Sequence, residues 1–282
     1  MNQKFFKHTI GNFNIKDAFE ATDLLFERGY MSVSCAEKSG SWIVEIINDR
    51  PVSESEIFEI LRQYHFSGTE ISELEDTDWL KKCFENFKPL CIGEFYIYGP
   101  HVRGNPVPED KIPLEIAAAT AFGTGEHPTT DRCLLACQTF FDEKRHRSVM
   151  DIGCGSGILS IALAKSGADR IDACDVEEEA VRISRENIAV NGVAHKINVF
   201  LKNGSEINGE KYDFITANIL AEPLVSMNNA VVSAMSDGAV LILSGFTSDD
   251  DTVPQRYLAS GLNLKFRYDL NGWTTLVLGK RF

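Results

Sequence analysis

The sequence predicts an α/β protein of two unequal parts, a small α+β domain followed by a larger domain built on a doubly wound, mostly parallel sheet. Two observations predict the larger domain: after residue 148 apolar strand patterns alternate with helical patterns, and the first of these strands runs into a glycine-rich turn. A third predicts the smaller domain, because elements within residues 1–75 follow the ferredoxin-like order β-α-β-β-α-β. At 282 residues the chain is long enough for two hydrophobic cores.

The small domain, residues 1–75, contains six predicted elements. Its second helix opens on a capping box, in which Ser53 is followed three residues later by Glu56. No glycine loop, metal cluster or nucleophile paired with a base occurs in this stretch of sequence, so we expect it to present a substrate-recognition surface. In chain order the predicted elements are a strand from Phe5 to Phe13, a helix from Ile15 to Arg28, a hairpin of Met31 to Glu37 and Trp42 to Asn48, a helix from Ser53 to Tyr64 and a strand from Thr69 to Leu74.

Residues 76–94 are predicted to form a linker helix, because an acidic stretch leads into a helical pattern anchored by Trp79 and Leu80. The remaining residues, 95–282, form the larger domain. Its strands are predicted near residues 148, 170, 197, 212 and 239, with helices near 158, 177, 221 and 249 between and after them. Two closing strands, Leu262 to Tyr268 and Thr274 to Gly279, are separated only by Asp269 to Trp273 and must form an antiparallel hairpin, which gives a sheet of seven strands.

A glycine-rich turn flanked by two acidic residues predicts a cofactor site. The run Asp151-Ile152-Gly153-Cys154-Gly155-Ser156-Gly157 joins a strand to a helix, and Asp175 ends the next strand. Glycines let the backbone pass close under a ligand, and the carboxylate of Asp175 can accept both hydroxyls of a ribose. The spacing is not that of a dinucleotide site, and Asp151 suits a cationic ligand better than a diphosphate. The pattern favours S-adenosyl-L-methionine over a nicotinamide dinucleotide.

Two further segments place polar side chains where they can reach this site. Ala121 to Thr130 contains a second glycine loop, and Thr130 at the start of the following helix can offer its hydroxyl to a ligand. The strand from Tyr212 to Ala217 ends on Asn218, so we expect Asn218 at the ligand edge of the sheet, followed by an aliphatic wall that suits a flexible amine. His127 is a candidate weak proton acceptor, although a lone loop histidine is more often solvated or hydrogen bonded.

The overall composition argues against several classes of function. A net charge of −13 is unsuited to nucleic acid, which requires a basic face, and a basic protein partner fits better. No apolar run approaches the ~20 residues that span a bilayer, and Met1 to His8 lacks an apolar signal core, so we expect a cytoplasmic protein without membrane contact. The seven cysteines contain no C-x-x-C pair, which predicts reduced thiols and no metal site.

Taken together, the motifs are similar to those of the bacterial ribosomal protein L11 methyltransferases, the PrmA family. The resemblance implies a Rossmann-like class I methyltransferase domain, S-adenosyl-L-methionine as cofactor and ribosomal protein L11 as substrate. The residues that carry it are A-F-G-T-G-x-H-P-T-T at 121–130, D-I-G-C-G-S-G-I-L at 151–159, Asp175, and A-N-I-L-A-x-P-L at 217–224.

The resemblance also assigns site residues. It implies cofactor contacts from Thr130, Gly153, Asp175 and Asn218, and the glycine-turn pattern adds Asp151 and Gly155. Asn218 is in addition the candidate that positions the substrate. Two segments depart from the family's pattern: Ala117-Ala118-Ala119-Thr120 stands where an Asp-Pro-Gly-Met-like run is usual, and Asn203-Gly204 stands where many relatives have an acidic neighbour of the adenine.

The predicted reaction is attack of a neutral amine, from a lysine side chain or an N-terminal α-amine, on the methyl group of the cofactor. Deprotonation at neutral pH costs about 4 kcal/mol for a lysine and about 1 kcal/mol for an α-amine. Orientation in a closed site contributes roughly 7 to 11 kcal/mol, so no strong base is required. The amines modified and the number of methyl groups added stay open.

Three alternatives also stay open at this point. The first is a methyltransferase that acts on another protein, a nucleic acid or a small-molecule amine. The second is a non-catalytic cofactor-binding module associated with the ribosome, although Asp151, Asp175 and Asn218 are all present. The third is a nicotinamide dehydrogenase, which the glycine spacing disfavours. We expect a monomer.

Overall fold

The computed structural model describes residues 5–74 except 29, 31, 39 and 49, and residues 88–117, 127–142, 144, 146–207 and 209–280. The chain divides into two compact units, Met1–Cys83 and Phe84–Phe282. Residues 75–87, which contain most of the predicted linker helix, and residues 118–126, which contain most of the second glycine loop, lie outside the described residues. The boundaries 1–75, 76–94 and 95–282 therefore stay predictions.

The first unit has the predicted order β-α-β-β-α-β. Its sheet has the strand order β2-β3-β1-β4 with every neighbouring pair antiparallel, and the core packs Ile10, Val44 and Ile46 of the sheet against Leu25 and Ile57 of the two helices. The predicted α+β architecture of this part is confirmed. Its elements are β1 (Phe5–Phe13), α1 (Ile15–Glu27), β2 (Ser32–Lys38), β3 (Ser41–Asn48), α2 (Glu54–Ile60) and β4 (Ser67–Leu74).

Only half of the predicted capping box forms at α2. The Ser53 hydroxyl accepts a hydrogen bond from the backbone N–H of Glu56 at 3.2 Å. The Glu56 carboxylate instead accepts from the Tyr30 hydroxyl at 2.7 Å and from the Arg50 guanidinium at 2.7 and 3.1 Å. These bonds hold the pKa of Glu56 at about 2. The helix ends at Ile60, four residues before the predicted end, since the chain turns after Leu61.

The second unit contains a seven-stranded sheet of the order β10-β9-β8-β11-β12-β14-β13. The pairs from β10 to β12 are parallel, and β14 is antiparallel to both of its neighbours, which confirms the mostly parallel sheet with a terminal hairpin. Its strands are β8 (Ser148–Ile152), β9 (Arg170–Asp175), β10 (Ile197–Leu201), β11 (Tyr212–Asn218), β12 (Met235–Thr247), β13 (Asn263–Leu270) and β14 (Trp273–Gly279).

Helices cover both faces of this sheet. Side chains such as Val149 and Phe214 point into a core with α3, α4 and α5, whereas Met150 and Ile215 point into a core with α6 and α7. The alternation follows from the two-residue period of a strand, and the sheet is therefore buried on both sides. The helices are α3 (Pro128–Phe140), α4 (Ile158–Lys165), α5 (Glu178–Val190), α6 (Ala221–Ala234) and α7 (Thr252–Ala259). Across the described ranges, no helix has the length and apolar character needed to cross a membrane.

A separate three-stranded sheet precedes α3, with β5 (Leu90–Ile92), β6 (Phe95–Tyr98) and β7 (Ile112–Glu115) in that order. The strand β5 lies in residues assigned by the sequence to the linker helix. Two asparagines at the C-terminal end of α5 hold the end of β7. Asn191 exchanges hydrogen bonds with the backbone of Glu115 at 2.7 and 3.1 Å, and Asn187 accepts from the N–H of Ala117 at 2.9 Å.

Candidate functional site

The glycine-rich turn lies where the strand order reverses. Strand β8 has β9 on one side and β11 on the other, and a crevice at such a switch point is where α/β sheets bind ligands. The turn is tied to the neighbouring strand, because the N–H groups of Gly153 and Cys154 both donate to the carbonyl of Cys174, at 2.8 and 3.0 Å. Gly157, with φ of 81°, then caps α4.

The glycines are required by the protein's own packing as well as by backbone conformation. Gly153 has φ of 68°, and a Cβ there would lie 2.2 Å from the Cγ2 of Ile219. Gly245 has φ of 98°, and a Cβ there would lie 2.2 Å from the Ile219 carbonyl oxygen, so the glycine leaves room for the backbone of Ile219. Ile219 therefore sits where two glycines leave space for it, directly after Asn218.

Asp151 lies beneath the turn and not at its surface. The residue is 1% exposed, and its two carboxylate oxygens accept from the hydroxyls of Ser160, at 2.6 Å, and Thr216, at 2.8 Å. Burial raises the pKa of this carboxyl group. Through these hydrogen bonds Asp151 links β8 to α4 and β11. An effect of its charge on a cationic ligand would be electrostatic and not a direct contact. Its role toward the cofactor stays a prediction.

Asp175 ends β9 and braces the glycine turn. One carboxylate oxygen accepts from the N–H of Gly155 at 2.9 Å, and the other accepts from the N–H of Glu177 at 3.1 Å. A carboxylate has about four acceptor positions, so roughly two stay open for the hydroxyls of a ribose. The geometry is compatible with the predicted ribose contact and adds a second role, since Asp175 also orients Gly155.

The first turn of α3 is built as expected around Pro128, but His127 has a different role from the predicted one. His127 is the N-cap: its Nδ1 accepts from the N–H of Thr129 at 3.3 Å and lies 2.7 Å from the Thr129 hydroxyl. Burial lowers the pKa of His127 to about 3. A ring with this pKa is neutral at neutral pH and binds a proton weakly, so the structure disfavours His127 as the acceptor of the substrate proton, and that role stays a prediction.

Two buried polar atoms at this edge of the sheet are unsatisfied. The Oγ1 of Thr130 in α3 and the Oδ1 of Asn218 at the end of β11 are both inaccessible to solvent, and neither has a hydrogen-bond partner among the described residues. A buried polar group without a partner is costly, so each of these atoms needs a partner that the described residues do not supply. Both atoms belong to residues predicted to contact the cofactor.

Asn203 and Gly204, the second departure from the family's pattern, form a compact corner. The Asn203 side chain accepts from the N–H of Ser205 at 2.8 Å and caps a short 3-10 helix, Gly204–Glu206. Gly204 is buried, and a Cβ there would lie 2.4 Å from the Cγ2 of Ile152. The asparagine therefore has a structural role in shaping this corner.

Sequence reasoning missed Trp273. It was placed in the loop between the closing strands, but it is the first residue of β14 and pairs with Thr247 at the carboxyl end of β12. The indole is 5% exposed and packs edge-on against the ring of His127, with 5.0 Å between the ring centroids and 69° between the planes. Its Nε1 also has no hydrogen-bond partner within the described part of the chain. In the sequence, the one signal for this buried position was that Trp273 follows the turn of a hairpin next to the strand that ends at Thr247.

The described residues contain no group of three or more His, Cys, Asp or Glu side chains that could hold a metal ion. Burial raises the pKa of the Cys133, Cys137, Cys154 and Cys174 thiols, which keeps them protonated at neutral pH. These thiols serve as apolar packing groups.

The order of the seven strands, the antiparallel β14 and the glycine turn after β8 together define a methyltransferase of the Rossmann-like class I fold. The chain belongs to the ribosomal protein L11 methyltransferase (PrmA) family, whose pattern it matches over residues 22–281.

Individual relatives agree with this assignment. The chain is 32% identical over 271 residues to the ribosomal protein L11 methyltransferase of Bradyrhizobium diazoefficiens, covering 92% of this chain and 90% of that protein. It is 32% identical over 245 residues to the protein of the same name from Caulobacter sp. (strain K31), covering 86% and 84%. Among solved structures, a ribosomal protein L11 methylase from Lactobacillus delbrueckii subsp. bulgaricus superposes with a TM-score of 0.64 at 25% identity, over 70% of this chain and all of that one.

Proposed function

We propose that this protein transfers methyl groups from S-adenosyl-L-methionine to amines of ribosomal protein L11, either lysine side chains or the N-terminal α-amine. One observation carries the proposal: Asn218 and Thr130 present buried, unsatisfied polar atoms at the sheet edge that also holds the glycine turn and Asp175. The names of the relatives support methyl transfer to ribosomal protein L11.

The residues at the switch point fit S-adenosyl-L-methionine. Asp175 has acceptor positions for the ribose hydroxyls, and the positive φ of Gly153 and Gly155 keeps side chains off the turn beside them. The Thr130 hydroxyl can donate to the amino-acid part of the cofactor. When bound, this cofactor supplies a methyl group on a sulfonium, which is already activated for transfer to a nucleophile.

Asn218 is the group best placed to orient the acceptor amine. Its Oδ1 can accept a hydrogen bond from an amine N–H, which leaves the nitrogen lone pair directed elsewhere. The next two residues, Ile219 and Leu220, make the surroundings aliphatic, and Leu220 is 40% exposed at the start of α6. An aliphatic wall next to an amide acceptor suits the flexible chain of a lysine better than a planar base.

The proposed methyl transfer does not need a strong base. Burial lowers the pKa of His127 to about 3, which disfavours it as a base, so we propose that the amine proton goes to water before the attack. Deprotonation of a lysine costs about 4 kcal/mol at neutral pH, which orientation, worth roughly 7 to 11 kcal/mol, can exceed. We therefore infer that positioning by Asn218 and its neighbours, not acid-base chemistry, produces the rate.

Residues 1–75 are proposed to recognise the substrate. The unit contains no cofactor motif, and the whole chain has a net charge of −13, which favours a basic partner such as a ribosomal protein. Removal of residues 1–75 should leave S-adenosylhomocysteine binding intact, which also checks that the rest is folded, and should abolish methylation of L11. Full activity of the shortened chain would contradict the recognition role.

The function itself is tested by incubating the purified protein with labelled S-adenosyl-L-methionine and a mixture of ribosomal proteins. We expect label in L11 alone, and mass spectrometry of its peptides to show methylated amines. The variant Asn218→Ala should lower kcat strongly, while Asn229→Ala, an exposed change on α6, should behave as the wild type. Label in RNA, or in a protein other than L11, would refute the proposal.

A further inference from the structure

The site contains an unsatisfied donor that neither the family resemblance nor the proposed reaction uses. The Nε1 of Trp273 is buried without a hydrogen-bond partner among the described residues, and the residue is 5% exposed. The Oγ1 of Thr130 is also buried without a hydrogen-bond partner among the described residues, and that residue is 1% exposed. An indole N–H can only donate, so it requires an acceptor that the described residues do not supply.

The two donors belong to one corner of the site. The ring of Trp273 contacts the ring of His127 at 5.0 Å, and His127 is the N-cap of α3, three residues before Thr130. Helix α3 packs against both β12 and β14. Because Trp273 pairs with Thr247, the corner lies at the carboxyl edge of the sheet, where ligands bind.

The electrostatics of the corner favour an anion. The N-terminus of a helix carries roughly half a positive charge and has backbone N–H groups without intrahelical acceptors, and α3 is 13 residues long. The acidic residue in its first turn, Asp131, is paired with Arg132 at 2.6 Å, so its charge is offset locally. His127 is held neutral, because burial lowers its pKa to about 3. Donors and dipole together suit a carboxylate.

We propose that Trp273 is a ligand-binding residue, whose indole N–H donates with the Thr130 hydroxyl to the carboxylate of the methionine part of the cofactor. The proposal rests on the proposed function, because that carboxylate is the only anionic group of S-adenosyl-L-methionine. The contact fixes one end of the cofactor and so positions the sulfonium relative to Asn218.

The test compares three nucleosides by calorimetry. S-adenosylhomocysteine carries both the carboxylate and the ammonium, its decarboxylated analogue carries the ammonium alone, and 5′-methylthioadenosine carries neither. In Trp273→Phe and in Thr130→Val the affinity for S-adenosylhomocysteine should fall about 10- to 100-fold, the range for hydrogen bonds to a charged group. The affinity for the other two nucleosides should change less than about twofold. Thr130→Ser, which keeps the hydroxyl, should restore most of the affinity.

Trp42→Phe, in the first unit, is the matched control and should leave all three affinities unchanged. Equal losses for all three nucleosides in both variants would overturn the proposal, since they would indicate a structural role for the corner. So would an unchanged S-adenosylhomocysteine affinity together with a raised KM for the protein substrate, because the indole would then face the substrate. If the wild type binds none of the three nucleosides, the proposed function itself fails.

Discussion

Substitution of Gly153 by alanine tests whether the glycine turn is shaped by backbone conformation alone or also by contact with Ile219. Gly153 has φ of 68°, where an L-residue is strained, and the new Cβ would lie 2.2 Å from the Ile219 Cγ2. The strain contributes roughly 1 to 2 kcal/mol, and overpacking a filled position contributes about 1 to 3 kcal/mol more. We expect Gly153→Ala to lower the free energy of unfolding of the second unit by about 2 to 5 kcal/mol.

The chain provides a matched control at Gly192. Its φ is 73°, but nothing lies within 4 Å of the position a Cβ would take. Gly192→Ala therefore retains the strain without the clash and should cost about 1 to 2 kcal/mol. In an Ile219→Ala background the cost of Gly153→Ala should fall to that of the control, because the clashing Cγ2 is absent.

The measurement is urea-induced unfolding, followed by tryptophan fluorescence, of the wild type, Gly153→Ala, Gly192→Ala, Ile219→Ala and the Gly153→Ala/Ile219→Ala double variant. The affinity of each protein for S-adenosylhomocysteine is measured separately. A coupling of about 1 to 3 kcal/mol between residues 153 and 219 is expected from the double-mutant cycle. Equal losses for Gly153→Ala and Gly192→Ala, or no coupling with Ile219→Ala, would refute the reasoning and leave ligand approach as the reason for the glycine.

Four other predictions concern single groups. Asp175→Asn should weaken S-adenosylhomocysteine binding about 10- to 100-fold through lost charge-assisted hydrogen bonds, whereas Asp237→Asn, at an exposed position, should not. If calorimetry gives the two variants equal affinities, Asp175 does not contact the ribose. Asn187→Ala removes the 2.9 Å hydrogen bonds that its side chain makes with the Ser156 carbonyl and the Ala117 N–H, and it should lower the free energy of unfolding by roughly 1 to 3 kcal/mol in thermal denaturation, against almost nothing for the exposed Asn229→Ala. Burial lowers the pKa of His127 from 6.5 to about 3, so between those values the unfolded chain binds a proton that the folded chain does not. The free energy of unfolding should therefore fall as the pH drops from 6.5 toward 3, and His127 should not affect it above that range. In His127→Asn this free energy should fall less steeply in acid than in the wild type, and parallel curves of the two proteins against pH would contradict the assignment. If the amine proton goes to water, kcat/KM should rise with pH until the substrate amine itself titrates, and a bell-shaped profile centred near pH 7 would instead indicate a base in the site.

Features set by neighbours in sequence were predictable. The strand-to-helix alternation, the glycine turn from Gly153 to Gly157, and Pro128 at the first turn of a helix depend on local periodicity and on backbone conformations that few residues adopt. These features also placed Asp175 and Asn218 at the ends of strands. Parallel strands present their carboxyl ends at one edge, so the candidate site followed from local pattern.

Features set by distant contacts were not predictable. The strand β5 has only three residues and exists because it pairs with β6, so its short apolar run looked like part of a linker. The capping box at Ser53 formed only in part, because Glu56 finds a stronger charged partner in Arg50. In each case a tertiary partner outcompeted a local preference.

By itself the sequence determined the two architectures, the family and the residues placed at the ends of the strands, since these depend on periodicity, turn chemistry and motif spacing. Only the tertiary structure decided the chemical state of the site. It buried His127 and so lowered the pKa of the ring, satisfied both oxygens of Asp151, and placed the indole N–H of Trp273 beside α3 without a partner among the described residues. The physical reason is that desolvation and hydrogen-bond satisfaction depend on which groups meet in space, and residues far apart in the chain supply those groups.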